Sequence, residues 1–118
     1  MKLASLNGKA AWNNPTIWNA SETFSAATEV AEKLTGIKTG KIAVGYLADI
    51  SLLRLDVPEM IPNFNLKSNI VYSANGNVVD TVICDGKILM ENRYVRGEEE
   101  IMAKANQAAF ALVEKLNS

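Results

Sequence analysis

The chain has 118 residues, 48% hydrophobic and 21% charged, enough for one domain with a modest core and unlike a disordered chain. Its 12 basic and 13 acidic side chains nearly cancel, and it has no basic stripe, aromatic platform or apolar run of about 20 residues, so neither nucleic acid nor a membrane is an expected partner. It has no histidine, which removes His-built zinc sites, Ser-His-Asp triads and Cys-His pairs, and its single cysteine, Cys84, excludes an internal disulfide and fits a cytoplasmic setting.

Residues 1–11 read as a short helix, with Leu3, Ala4 and Leu6 apolar and no signal-peptide core around them. A turn-forming stretch, Trp12 to Thr16, separates it from a second helix over 20–34. Asn19 is placed to cap that helix and Glu22 to reach back in a capping box. Phe24, Ala27, Ala31 and Leu34 share its apolar face, and Gly36 can end it in a left-handed conformation. Between glycine turns, 40–45 reads as extended. Asp49 to Asp56 encloses a strand over 50–55 with apolar residues on both faces, which predicts cover on both. Pro58 and Pro62 bracket an irregular connection, and 66–73 reads as a helical turn or two before Asn75-Gly76.

Val78 to Cys84 is rich in β-branched residues. Asp85-Gly86 then has the signature of a two-residue type I′ turn, returning the chain as a strand through Ile88, Leu89 and Met90. A last helix is expected over 98–116. Glu98, Glu99 and Glu100 suit its N-terminal dipole, Lys115 suits the other end, and Ile101, Ala105, Ala108, Leu112 and Leu116 form a stripe expected to be buried. The architecture expected is therefore α+β, with segments 1–37, 38–96 and 97–118.

The motifs that carry chemistry elsewhere have structural readings here. Gly36 to Lys41 has three residues between its glycines and Ile42 after the lysine, so it is a turn and not a phosphate loop. Cys84 lacks a neighbouring base and is expected to be buried at a strand end. Asn19-Ala20-Ser21 matches a glycosylation triplet that occurs often by chance. Glu98 to Glu100 point in three directions as a solvated helix start. Asp49, Asp56, Asp80 and Asp85 stand at strand ends, where aspartate serves turns. No residue is thereby assigned to catalysis, a cofactor or a metal.

From Gly40 onward the order of residues resembles the C-terminal region of the metal-dependent amidohydrolase superfamily. Gly40-Lys41-Ile42, Gly45 and Ala48-Asp49-Ile50 match the signature at which those chains leave a catalytic barrel for a β-sandwich. The likeness continues through Val57 to Pro62, Asn69 to Gly76 and Val78 to Lys87. Met1 to Leu6, Ala27-Thr28 and Leu34 to Gly36 are similar to the last barrel helices, although Ala31-Glu32 stands where the family often has Gly-Ala. The subgroup it most resembles is the 5-methylthioadenosine/S-adenosylhomocysteine deaminases, with triazine hydrolases as neighbours.

The resemblance implies a fragment: the last helices of a (β/α)₈ barrel, the C-terminal half of a composite β-sandwich and a C-terminal helix. It implies a parent that uses a divalent metal, usually zinc, to activate water against a purine C–N bond. None of the family's histidine or aspartate ligands maps onto this chain, which alone is expected to hold no cofactor and to be inactive. Its expected partner is a second copy or the missing N-terminal part. Edge strands and the stripe of Leu3, Leu6, Phe24, Ala27 and Leu34 would be left open for that partner. The alternatives are a free-standing binding or regulatory module, and a small enzyme working with Asp, Glu, Lys and Cys alone.

Overall fold

The computed structural model describes residues 1–116. The chain opens with α1 (Lys2–Ala11), followed by α2 (Ala20–Ala26) and α3 (Val30–Thr35). β1 (Ile50–Leu53) comes next, then an excursion made of a 3₁₀ turn (Pro58–Met60), the single turn α4 (Leu66–Ser68), a π turn (Asn69–Ser73) and a 3₁₀ turn (Gly76–Val78). β2 (Val79–Cys84), β3 (Lys87–Glu91), the two-residue β4 (Tyr94–Val95) and α5 (Glu98–Leu116) complete it. The four strands form one antiparallel sheet in the order β1-β2-β3-β4.

The expected capping box is present. The Asn19 side chain accepts from the Glu22 amide at 3.1 Å, and the Asn19 amide donates to the Glu22 carboxylate at 3.0 Å. The single helix expected over 20–34 is instead two, and Thr28 supplies the reason. Its hydroxyl donates to the Phe24 carbonyl at 2.9 Å, the acceptor its own amide would use in a continuous helix. The amide moves to Ser25, the turn tightens, and α3 restarts two residues later. Gly36 ends α3 at φ 72°, as expected. The stretch 40–45 is not extended: Gly40 and Gly45 both have positive φ, and a turn closes from the Tyr46 amide to the Ala43 carbonyl.

The type I′ turn is present, with φ 47° at Asp85 and 74° at Gly86 and Cys84 facing Lys87 across it. A second turn with two positive φ values, at Asn92 and Arg93, adds β4 and extends the expected hairpin. β1 is shorter than expected and neither of its faces is fully covered. Ile50 and Leu53 are half-buried, while Ser51 and Leu52 face solvent. The register shifts between Leu52 and Leu53, where Asp80 is skipped on β2.

The core is small. Among the described residues, the buried apolar side chains are Ala20, Met60, Val71 and Val78, gathered between α2, the excursion and the start of β2. α5 forms where expected, but its stripe does not pack on this chain: no residue of the helix is buried, and Leu112 is 61% exposed. Helical periodicity marks an apolar face without specifying where the surface that covers it lies. The same imbalance shows in the whole molecule. It exposes 9038 Å² where a compact monomer of 12.8 kDa exposes about 6,300 Å². Its radius of gyration is 18.9 Å against about 13.5 Å for a compact domain of this length. No helix among the described residues is long and apolar enough to cross a membrane.

Candidate functional site

An open groove of about 670 Å³ lies between the helical layer and the sheet. Phe24 of α2, Ile50 and Leu53 of β1 and Val71 of the π turn give it apolar walls, and Lys41 and Asp49 stand at its rim. Both rim charges are engaged. Asp49 accepts from the Asp85 amide at 2.8 Å and from the Thr39 hydroxyl at 3.0 Å. These two bonds, the amide's the stronger, hold its carboxyl below the ordinary 3.8. Lys41 pairs with Glu32 at 3.0 Å, and Glu32 also accepts from the Tyr46 hydroxyl at 2.6 Å. The Tyr46 bond first and Lys41 second lower the Glu32 carboxyl, and Glu32 in turn raises both Lys41 and the Tyr46 phenol. The effect of the cluster is to tie the 41–47 loop to α3. Gly40 lets that loop pass so close to Thr28 that a Cβ would collide with its carbonyl group.

A second polar cluster was not visible in the sequence. Ser5, fully buried on α1, donates to the Trp18 carbonyl at 2.5 Å and lies 2.8 Å from the Tyr72 hydroxyl. Lys9, one turn further along α1, donates to the same hydroxyl at 2.8 Å, and its ammonium holds the Tyr72 phenol below the ordinary 10.0. Thr23 makes a second bond to the Trp18 carbonyl at 3.1 Å. Ser5 and Lys9 share a face at i, i+4, which the sequence shows. Their meeting with a residue 63 or more positions away is a product of the fold alone. The serine is enclosed and the lysine is bonded, so the cluster clamps α1 to the π turn.

Cys84 is exposed, not buried: it ends β2 beside the turn, with the Asp49 carboxylate as its main electrostatic neighbour. That carboxylate, more than any other influence, raises the thiol above its ordinary 9.0 and disfavours the nucleophilic thiolate. Asp56 forms a two-pronged pair with Arg54, both contacts at 3.1 Å, and Asp80 accepts from the Thr81 hydroxyl at 2.9 Å. Asp85 forms the hairpin turn. Glu98 to Glu100 are solvated, with Glu100 paired to Lys104 at 2.6 Å. Asn19 uses its side chain as a cap. Gly36 to Lys41 leads into a loop, not into a helix N-terminus, so it offers no phosphate cradle.

Among the described residues, no three of His, Cys, Asp and Glu come together to hold an ion. A catalytic zinc takes three protein ligands and a water, and these donors do not fit one.

What these elements define is an α+β module in which a short helical layer leads into an antiparallel sheet and most of the apolar surface stays open. The sequence profile of the amidohydrolase family matches residues 1–89, and the chain belongs to that family. It is 48% identical over 98% of its length to a 5'-deoxyadenosine deaminase of Methanospirillum hungatei. It is 46% identical over 95% to a 5-methylthioadenosine/S-adenosylhomocysteine deaminase of Archaeoglobus fulgidus. It spans 26% and 27% of those two relatives, about a quarter of their length. The fold is similar to part of a zinc-bound adenosine deaminase from Xanthomonas campestris, with a TM-score of 0.82 and 28% identity, covering 90% of this chain and 25% of that one.

Proposed function

We propose that this chain is the C-terminal structural segment of an amidohydrolase-type deaminase whose substrate is a 5'-modified adenosine. The 1–37 segment supplies the last barrel helices, 38–96 half of a composite sandwich and the segment from 97 a C-terminal helix, of which 117–118 lie outside the described residues. Metal and substrate are held by the rest of the parent, and the work of this segment is to close and brace the barrel. Identity of 48% to a deaminase across almost the whole of this chain supports the family and the nucleoside chemistry.

The observation that carries the structural role is the surplus of about 2,700 Å² of exposed surface, the scale of a large permanent interface. A free-standing binding module would close its own core. This one has the groove and the apolar side chains Leu3, Leu34 and Leu52 open together.

Complementation tests the reading. The Methanospirillum deaminase, cut back by the segment that matches this chain, is mixed with this chain and followed by the ultraviolet change that accompanies conversion of 5'-deoxyadenosine to its inosine analogue. Restored turnover, with neither piece active alone, is the expected result. Deamination by this chain alone with about one tightly held zinc per chain, or no complex between the two pieces, would overturn the proposal.

A further inference from the structure

Asparagine is followed by glycine twice in this chain, at Asn7-Gly8 and at Asn75-Gly76. The backbone nitrogen after an asparagine can attack the side-chain carboxamide, and glycine puts no side chain in the way. The two pairs stand in opposite environments. Asn7 lies within α1, where the amide of an interior residue such as Gly8 is bonded one turn back, and a Cβ on Gly8 would come within 2.7 Å of the Trp18 ring. Asn75 is exposed and extended, with φ −131° and ψ −172°. Gly76 opens the 3₁₀ turn, where its amide has no partner inside the turn, and a Cβ placed on it would meet nothing within 4 Å.

The Asn75 side chain is also bent toward that reaction. Its Oδ1 accepts from the Asn77 amide at 3.3 Å, which folds the carboxamide forward across the intervening Gly76 peptide. Attack on Cγ places negative charge on that oxygen, so the same amide stabilises the charge as it develops. Asn14 accepts in the matching way from the Thr16 amide at 2.9 Å, but Pro15 follows it and has no N–H to give up. Asn19 and Asn65 accept from the Glu22 and Ser68 amides, with Ala20 and Leu66 after them. Asn75 has the forward bond, the glycine and the open space together.

We infer that Asn75 is a self-modifying site of this chain, converting through a cyclic succinimide to aspartate and isoaspartate, and that Asn7 is spared. The Gly76 nitrogen gives up its proton and bonds to Asn75 Cγ, the Cγ–Nδ2 bond breaks, and the nitrogen leaves as ammonia carrying a proton. Water then opens the ring at either carbonyl, and no oxidant or reductant takes part. Both products set a carboxylate on the wall of the groove that Asn75 lines. Isoaspartate also adds a methylene to the backbone just before the buried Val78, whose carbonyl accepts from the Arg54 amide at 2.8 Å.

The folded chain, held in mildly alkaline buffer and sampled over weeks, tests this. Its tryptic peptides are read by mass spectrometry with fragmentation, and isoaspartate is counted with an isoaspartate-specific methyltransferase. Conversion at Asn75 should run at least about tenfold faster than at Asn7, which must wait for α1 to open locally. In urea the two sites should convert at similar rates. Gly76→Ala, which the open space accommodates, should slow conversion of Asn75 about tenfold or more with an unchanged far-ultraviolet dichroism spectrum. Equal conversion of Asn7 and Asn75 in the folded chain, an Asn75 that stays intact while the urea-unfolded chain converts, or a rate that Gly76→Ala leaves unchanged would each overturn it. The deaminase reading is untouched by any of these outcomes, so the two proposals fall separately.

Discussion

The Trp18 carbonyl accepts from two enclosed hydroxyls, and removing them singly and together should give unequal costs. Ser5→Ala loses the 2.5 Å bond to that carbonyl and the 2.8 Å contact with Tyr72. At roughly 1 kcal/mol per hydrogen bond, offset by a few tenths from the better helix propensity of alanine, the variant should cost about 1–2 kcal/mol. Thr23→Val keeps the side-chain volume and loses the 3.1 Å bond, for about 0.5–1.5 kcal/mol. In each single variant the carbonyl keeps one donor. In the double variant it has none, in a place where Ser5 is fully buried and Thr23 almost so, and an orphaned buried acceptor adds about 1–3 kcal/mol. Urea unfolding of the four proteins closes a double-mutant cycle, with a coupling of about 1 kcal/mol or more expected. Additivity within about 0.5 kcal/mol would refute the argument and mean that water reaches the carbonyl once either hydroxyl is gone.

Met60→Ala should cost about 2–5 kcal/mol in the same assay, because its side chain is fully enclosed, whereas Leu112→Ala in dilute solution should stay within about 0.5 kcal/mol. Gly40→Ala should cost clearly more than Gly36→Ala. Both glycines have positive φ, but only at Gly40 does a methyl meet the Thr28 backbone; equal costs in a thermal melt would show that the loop shifts freely. The Asp49 carboxyl is held below its ordinary value by the Asp85 amide and Thr39, so its contribution is full above that value and fades as pH falls through the lowered one. The difference in melting temperature between the native chain and Asp49→Asn should therefore shrink on acidification below about pH 4, and a difference that is flat down to pH 2 would count against the bond.

Much of the local structure was legible in the sequence because it is decided by neighbouring residues. Asp85-Gly86 specifies a turn with two positive φ values, Asn19 with Glu22 specifies a helix start, and the ends of α5 follow from its acidic first turn and its periodicity. The Asn92-Arg93 turn gave a weaker signal, since arginine has no preference for the conformation it adopts there. The break at Thr28 was hidden because a threonine inside a helix pattern is ordinary until its hydroxyl takes the carbonyl behind it. The Ser5–Lys9–Tyr72 clamp joins residues more than 60 positions apart, and no spacing rule reaches that far. The exposure of the α5 stripe, of Leu52 on β1 and of Cys84 was illegible for one shared reason: an apolar pattern records that a surface is meant to be covered and is silent on what covers it.

The clasp between Asp49 and Asp85 bears on how the chain folds. The β2–β3 hairpin closes over two residues, a local event of the microsecond kind. Pairing β1 with β2 must first bring together groups 36 positions apart, at about 2 kcal/mol more in chain entropy than the hairpin turn. The Asp49 carboxylate offsets part of that by binding the turn itself, and Gly86 adds a bond to the Ala48 carbonyl at 3.1 Å. The hairpin is therefore expected to form before β1 docks on it, with residues 54–78 left as a loop closed at its base. The expectation is a transition state polarised toward the hairpin: substitutions in β2 and β3 should slow refolding, and those in β1 should mainly speed unfolding.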